Sequence, residues 1–272
     1  MMPNQEVVIV RDLVVKYDNR TILDRINLDI RRGEVLVLLG ESGSGKSTLL
    51  RHVIGLEKPL SGNIVVKGID IIRCSEVELN QVRRSMGVAF QNAALFGSST
   101  VSENVAFPLL EHTRLADSTI DLVVLLKLAQ VGLVHFGSLY PSELSGGMLK
   151  RASVARATAL DPEILFFDEP AAGLDPITAA GIDELVLYLK NALQMTVLVV
   201  SHQLHSAFKI ADRLAFLRQG KLVAIGPKDS IEKSSDPWVR QFLDRLPDKT
   251  SGDKTELLKH LADNLGVQCP KN

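Results

Sequence analysis

Strand and helix patterns alternate on both sides of a stretch, from about residue 101 to residue 160, in which only helical periodicity is found. This arrangement predicts a three-layer α/β core with an inserted helical subdomain. The chain has 272 residues, of which 46% are hydrophobic, so it is long enough to bury a full core. It contains no internal repeat and no low-complexity segment.

Strand patterns dominate the first third of the chain. Alternation with a period of two, interrupted by one slip, is found at 22–30, and the continuous apolar run at 34–39 is typical of a strand buried on both faces. A helix is predicted at 47–56, after a loop rich in Gly and Ser. The predicted strands of this part are residues 7–10, 13–15, 22–30, 34–39, 64–67 and 86–90.

Helical periodicity is found near 101–111, 118–131 and 147–160, and strand–helix alternation then returns. Asp175 is placed to cap a long helix with Pro176 in its first turn. The elements predicted after residue 160 are strands at 164–167 and 196–200, helices at 176–193 and 203–211, and a hairpin of 214–217 and 222–225.

The composition excludes several classes of protein. The 31 basic and 32 acidic residues nearly cancel, which argues against disorder and against a nucleic-acid partner. Cys74 and Cys269 fit neither a metal site nor a disulfide framework. No apolar run approaches the roughly 20 residues that cross a bilayer, and the first residues lack a signal-peptide pattern. We therefore expect a soluble cytoplasmic protein.

A phosphate-binding loop follows the strand at 34–39. Its residues fit the pattern G-x-x-x-x-G-K-[ST] between a buried strand and a helix, which is the context that the pattern requires. The glycines allow backbone N–H groups to converge on phosphate oxygens, and the helix adds its positive end. Lys46 would reach the β- and γ-phosphates, and the Ser47 hydroxyl would bind Mg²⁺. The loop consists of Gly40, Glu41, Ser42, Gly43, Ser44, Gly45, Lys46, Ser47 and Thr48.

Two acidic residues end the predicted strand at 164–167. Asp168 is placed to hold Mg²⁺, usually through water, and Glu169 to act on an attacking water as general base. A strand that ends in acids is ordinary when it stands alone. Together with the phosphate loop, however, this pair predicts hydrolysis of a nucleotide rather than phosphoryl transfer to another substrate.

The segment at 144–148 precedes a helix rich in cations, among them Lys150, Arg151 and Arg156. Its Ser145, Gly146 and Gly147 predict a second anion site at the start of that helix. A surface turn with an N-cap serine is the alternative interpretation.

From about residue 6 to residue 235 the sequence resembles the ATP-binding cassette of ABC transporters. The resemblance implies a P-loop NTPase fold with a mainly parallel core sheet, an N-terminal antiparallel β subdomain and a helical subdomain inserted at about 92–160. It implies one ATPase domain over 1–247. The matching motifs are Tyr17 for the aromatic on adenine, 40–48 for Walker A, Gln91 for the Q-loop, 144–148 for the signature, 164–169 for Walker B, 173–175 for the D-loop and His202 for the switch histidine.

The resemblance also implies roles for single residues, with ATP and Mg²⁺ as the bound groups. Gln91 would contact Mg²⁺ and sense the γ-phosphate, and His202 would orient Glu169 or water. Two copies would pack head to tail, so that Ser145, Gly146 and Gly147 of one close on the nucleotide of the other, beside Asp175 of the D-loop. Purely structural roles are open for Tyr17, Gln91, His202 and Asp175, as a strand-end aromatic, a strand terminus or helix caps.

A closer resemblance, to the ATPases of Mla transporters (maintenance of lipid asymmetry), is found at 90–96, 101–109, 111–113, 141–148, 175–178 and 236–243. It implies phospholipid cargo, a separate membrane permease, a periplasmic MCE-domain carrier and a STAS-domain accessory subunit. The chain would then lie peripherally on the cytoplasmic face of the inner membrane. Gln203, where Asp is common, departs from the usual cassette pattern without touching the catalytic chemistry.

Three alternatives are open at this level. The chain fits the ATPase of a small-solute importer, a soluble cassette that acts on ribosomes or DNA, or a regulatory module without turnover. The second usually has two cassettes or a long coiled-coil insertion, and the third would lack Glu169 or His202. Beyond the core we predict a flexible linker at 248–254 and a short helix whose apolar stripe is Leu257, Leu258, Leu261 and Leu265, packed on its own domain or on a neighbouring subunit.

Overall fold

The structure is a computed structural model that describes residues 5–246, and the chain divides into two compact units after Lys233. The strands of the first unit are β1 (Glu6–Tyr17), β2 (Arg20–Arg31), β3 (Val35–Leu39), β4 (Ser61–Val66), β5 (Ile69–Asp70), β6 (Met86–Ala89), β7 (Ile164–Asp168), β8 (Thr196–Ser201), β9 (Arg213–Arg218) and β10 (Lys221–Pro227). Its helices are α1 (Lys46–Val53), α2 (Glu76–Arg84), α3 (Val101–His112), α4 (Asp117–Gln130), α5 (Gly146–Ala157), α6 (Pro176–Leu193), α7 (Leu204–Ile210) and α8 (Lys228–Glu232). The described part of the second unit contains α9 (Pro237–Leu243), which Asp236 caps.

An antiparallel sheet with the strand order β2-β1-β4-β5 forms from the first part of the chain. The slip in the alternation of β2 is a β-bulge. The pairing moves from Leu13↔Ile26 to Val15↔Leu23, which leaves one extra residue on β2, and Arg25 there has a φ of +52°. Because a bulge resets which face each side chain meets, Leu23 and Ile26 are both buried.

The second sheet has the order β10-β9-β3-β8-β7-β6, and all neighbouring strands except β10 and β9 are parallel. Every residue of β3 is buried, as its continuous apolar run predicts. The mainly parallel core sheet, the N-terminal antiparallel sheet and the inserted helices are therefore confirmed.

Helices α3, α4 and α5 lie in sequence between β6 and β7. Thr100 and Glu103 form a capping box at the start of α3, and Asn104 is fully buried. The Asn104 amide donates hydrogen bonds to the carbonyl oxygens of Phe96, Ser99 and Thr100 at 2.9–3.2 Å and accepts one from the Phe96 N–H at 2.8 Å. The loop between β6 and α3 is thus fixed by hydrogen bonds rather than by secondary structure.

Several bounds differ from the sequence prediction. The two predicted strands at 7–10 and 13–15 are one strand, β1, and the predicted helix at 47–56 ends at Val53. Helix α6 begins at Pro176, and Asp175 accepts hydrogen bonds from the N–H groups of Ile177 and Thr178, as expected.

Helix α2 was not predicted. It is polar, and only Leu79 and Val82 are buried among its residues, so it has almost no apolar period. The signal that was overlooked is the capping box of Ser75 and Glu78 at its start. The short elements β5, α8 and α9 were also absent from the prediction. The predicted linker and helix at 248–272 lie outside the described residues.

The packing of β6 against the end of α5 predicts the effect of one substitution. A Cβ atom on Gly87 would lie 2.2 Å from the carbonyl oxygen of Ala157. We expect Gly87→Ala to lower the free energy of unfolding by about 1–3 kcal/mol, because backbone must shift to admit it. Urea denaturation measures the change.

Gly97→Ala is the matched control, because a Cβ atom there meets nothing within 4 Å. Its free energy of unfolding should stay within about 0.5 kcal/mol of the parent value. Equal stability of the two variants would contradict the close approach of strand and helix.

Candidate functional site: a phosphate loop and paired acids at one edge of the sheet

The predicted phosphate loop joins β3 to α1 and is anchored on the turn between β9 and β10. A Cβ atom on Gly40 would lie 2.2 Å from the carbonyl oxygen of Leu217, so only glycine permits this approach. The carbonyl oxygen of Ser44 accepts a hydrogen bond of 3.0 Å from the N–H of Gly220. Gly45 has a φ of +107°, which turns the chain into α1. The loop is therefore held in a defined shape at the positive end of a helix.

Lys46 begins α1, and its side chain folds back over the loop. The ammonium nitrogen donates hydrogen bonds of 2.9 Å to the carbonyl oxygens of Gly40 and Glu41. Burial lowers the pKa of Lys46, while the nearby carboxylates of Glu169, Asp168 and Glu41 oppose that shift. A phosphate anion at this position would favour the charged form in the same way.

Ser47, near the end of the loop, contacts Asp168. The Ser47 hydroxyl donates a hydrogen bond of 3.1 Å to Oδ1 of Asp168, the last residue of β7. Burial raises the pKa of the Asp168 carboxyl, and the hydrogen bond from Ser47 opposes that shift. A half-buried carboxylate beside a hydroxyl is an oxygen donor set of the kind that a hard divalent cation prefers.

Glu169 follows β7 and is held in an unusual backbone conformation. Its φ is +51°, and its N–H donates a hydrogen bond of 2.9 Å to the carbonyl oxygen of Val200. Oε2 of Glu169 lies 2.8 Å from Nδ1 of His202 but forms no hydrogen bond of regular geometry with any group within residues 5–246. The carboxylate is only 11% exposed, whereas the His202 side chain is 51% exposed.

His202 follows β8 and precedes α7. The N-cap position of α7 is occupied by Gln203, so His202 is not the residue that caps this helix. Its ring instead faces the carboxylate of Glu169.

Tyr17 lies at the end of β1, with 42% of its surface exposed. Its hydroxyl donates a hydrogen bond to Glu57, which also pairs with Arg51 at 3.6 Å. That hydrogen bond raises the pKa of Tyr17. The phenol is thus held at one end while the ring stays accessible for stacking.

Most of the predicted groups line one open cavity of about 480 Å³. Three residues of the loop, Gly40, Glu41 and Ser44, do not line this cavity. Asp168 does not line it either, but it contacts the lining residue Ser47. The lining residues are Tyr17, Arg20, Ile22, Ser42, Gly43, Gly45, Lys46, Ser47, Thr48, Gln91, Glu169 and His202.

Three residues at or near this cavity, Arg20, Ile22 and Lys150, were not predicted from the sequence to belong to the site. Arg20 and Ile22 line it because the β1–β2 hairpin places Arg20 opposite Tyr17. Lys150 of α5 donates hydrogen bonds to the carbonyl oxygens of Gln91 and Glu169. The sequence showed Lys150 only as one of several cations on a helix, and no spacing rule relates it to residues so distant in the chain.

The signature residues and Asp175 lie apart from this cavity within one chain. Ser145 caps α5 by accepting a hydrogen bond of 3.3 Å from the N–H of Met148. A Cβ atom on Gly147 would lie 2.4 Å from Cγ2 of Thr178, in the first turn of α6 that Asp175 caps. These residues therefore form a second cluster, made by the starts of α5 and α6.

Comparison with known proteins agrees with this geometry. Residues 23–172 match the family model described as ABC transporter. The intermembrane phospholipid transport system ATP-binding protein MlaF of Haemophilus influenzae is 43% identical over 88% of this chain and 91% of its own length. The probable ribonucleotide transport ATP-binding protein mkl of Mycobacterium leprae is 43% identical over 89% of this chain and 70% of its own length.

A solved structure extends the comparison to three dimensions. The ATP-binding cassette MJ0796, a dimer in a post-hydrolysis state bound to ADP and Pi, matches with a TM-score of 0.75 and 31% identity. The match covers 81% of this chain and 98% of that one. Within residues 5–246, no helix is both long enough and apolar enough to cross a membrane. The chain therefore belongs to the ABC transporter family, as an ATP-binding ATPase subunit.

Proposed function

We propose that the chain hydrolyses ATP to drive phospholipid movement between the inner membrane and a periplasmic MCE-domain carrier, and so maintains outer-membrane lipid asymmetry. The observation that supports the hydrolytic part is the convergence of Lys46, Ser47 and Glu169 on one cavity, with Asp168 bonded to Ser47. Phospholipid as cargo is supported by the name of the Haemophilus influenzae relative.

ATP would bind along the cavity from Tyr17 to Gln91. The exposed ring of Tyr17 offers a stacking face for adenine, and the loop at 40–48 offers backbone N–H groups to the phosphates. Lys46 would exchange its hydrogen bonds to two carbonyl oxygens for contacts with the β- and γ-phosphates. The buried hydroxyl of Ser44, which has no partner within the described residues, is a further donor in this loop.

Mg²⁺ fits the oxygen atoms of Ser47, Asp168 and Gln91. Held by these residues, the cation would supply positive charge that stabilises the negative charge on the phosphates. Ser47 and Asp168 are already in contact, so the donor set needs little rearrangement.

Hydrolysis would proceed with Glu169 as general base. Its carboxylate removes a proton from water while the water oxygen bonds to the γ-phosphorus, and the bond from that phosphorus to the ADP oxygen breaks. ADP and phosphate leave, and Glu169 returns the proton to solvent. His202, 2.8 Å from the carboxylate, would orient it, and Gln91 would respond to the presence of the γ-phosphate.

A second copy of the chain would complete the site. Ser145, Gly146, Gly147 and Asp175 form their own cluster away from the cavity, at the starts of α5 and α6. In a head-to-tail dimer, the cluster of one copy would close on the γ-phosphate held by the other. The dimeric state of the related cassette MJ0796 supports this arrangement.

The similarity to MlaF supports our choice of membrane partners. A permease would receive the closing motion at a surface formed by residues 92–96 and part of 101–113, where Phe96 and Phe107 are both exposed and in edge contact at 4.9 Å. We propose an Mla-type permease, an MCE-domain carrier and a STAS-domain subunit as partners, with the chain peripheral on the cytoplasmic face of the inner membrane. The domain would span 1–247, with an extension at 248–272.

A small-solute importer is the second candidate function. The Mycobacterium leprae relative is equally similar and is named for probable ribonucleotide transport. In either case we propose that the membrane partners, rather than this chain, select the cargo.

The role of Glu169 predicts a separation of binding from turnover. Glu169→Gln should lower kcat at least about 100-fold, because the base is lost while the shape is kept. The Kd for ATP should stay within about 3-fold. Steady-state hydrolysis and equilibrium binding measure the two effects.

Glu184→Gln is the matched control, since Glu184 is exposed on α6 and pairs with Lys209. It should hydrolyse ATP like the parent chain. Parent-like turnover of Glu169→Gln would remove Glu169 as the base.

The cargo is tested by purifying the tagged chain from detergent-solubilised membranes of its own organism and identifying the proteins and lipids recovered with it. We expect a permease, an MCE-domain protein and bound phospholipid. A permease with a solute-binding protein and no MCE-domain protein would favour the small-solute importer. Ribosomal or DNA-repair proteins without a permease would contradict a transport role.

A further inference from the structure

Lys150 joins three elements that meet behind the nucleotide cavity. It lies on the second turn of α5, and its ammonium nitrogen donates hydrogen bonds to the carbonyl oxygens of Gln91, at 2.5 Å, and Glu169, at 3.2 Å. Gln91 follows β6, and Glu169 follows β7. One cation thus connects the backbone of the proposed γ-phosphate sensor to the backbone of the proposed base.

The contacts of Lys150 are unusual for a lysine. It is half-buried, and within residues 5–246 it forms no ion pair, so its charge is satisfied by carbonyl oxygens. Burial lowers its pKa, while the carboxylates of Asp168 and Glu169 oppose the shift. An ammonium group placed in this way is costly unless its hydrogen bonds are kept.

The backbone of Glu169 is held by hydrogen bonds on both sides of its Cα atom. Its φ of +51° is uncommon for a residue with a side chain. The N–H donates to the carbonyl oxygen of Val200, and the carbonyl oxygen of Glu169 accepts hydrogen bonds from Lys150 and from the N–H of Ala172, both at 3.2 Å. Without Lys150, one of the three hydrogen bonds on this strained backbone is lost, and it is the one that comes from α5, so the direction of the carboxylate is less well defined.

We propose that Lys150 is a positioning residue for ATP hydrolysis. From its place on α5, it holds the main chains of Gln91 and Glu169 at a fixed distance from each other. The inference rests on the proposed function. Because α5 begins at Gly146, immediately after Ser145, the same helix joins the sensor, the base and the signature cluster.

Arg156 contacts the loop between β6 and α3, whose first residue in contact with Lys150 is Gln91. It donates hydrogen bonds to the carbonyl oxygens of Ala93, at 3.1 Å, and Ala94, at 2.7 Å, and lies 5.8 Å from the centre of the Phe96 ring. Loss of Lys150 would therefore leave the loop attached and free only its first residue. The effect should be on geometry at the cavity rather than on folding.

The test compares Lys150→Met, which keeps the length of the side chain without its donors, with Lys150→Arg, which keeps donors. In the full chain, Lys150→Met should lower kcat about ten-fold or more, because small displacements of a base are costly. The KM for ATP should stay within about two-fold, since the phosphate loop is untouched. Lys150→Arg should recover at least about a third of the parent kcat.

Arg151→Met is the control on the same helix. Arg151 donates to the carbonyl oxygens of Val131 and Gly181, which do not line the cavity. The Arg151→Met variant should have a lower unfolding temperature than the parent chain but no selective loss of kcat. An equal loss of kcat in Lys150→Met and Arg151→Met, or no recovery in Lys150→Arg, would overturn the positioning role.

Glu169→Gln, assayed beside these variants, separates the two proposals. If Glu169→Gln loses turnover while Lys150→Met retains it, the positioning role is wrong and the proposed function stands. If Glu169→Gln itself turns over like the parent chain, the proposed role of Glu169 is wrong, and the positioning role of Lys150 that rests on it is wrong as well.

Discussion

The parallel alignment of β3, β6, β7 and β8 is the constraint on which the rest of the site depends. Because parallel strands end at the same edge of a sheet, the phosphate loop, Gln91, Glu169 and His202 meet although they come from distant parts of the chain. Every residue of the two central strands β3 and β8 is buried, and all of them except Thr196 and Ser201 are apolar. The register of these strands therefore places the residues to which we assign the chemistry.

Much of the fold, and the convergence of most candidate site residues on one cavity, was predictable because local rules govern these parts. The phosphate loop is a continuous motif between a buried strand and a helix, and Asp175 with Pro176 fixes the start of α6. Helix α2 and the contacts of Lys150 were not predictable. The first has almost no apolar period, and the second joins side chain to backbone across distant segments, where residue identity gives no signal.

Helix α5 relates the two clusters that one chain keeps apart. Ser145 caps it, Lys150 holds Gln91 and Glu169, and Arg156 holds the loop before α3. Under the proposed mechanism, α5 would move as one body together with the groups that it contacts. Closure of a second copy on the γ-phosphate would then displace the base and the proposed permease surface together. Nucleotide binding would in this way be coupled to a movement of the permease.

The most direct test of this account is the specific ATPase activity of the full chain as a function of its own concentration. A site completed by a second copy predicts that activity per chain rises with concentration and then reaches a plateau. Ser145→Arg should remove the rise, because it blocks the cluster that the other copy contributes. Activity per chain that stays constant down to concentrations at which the protein is monomeric would contradict the shared site.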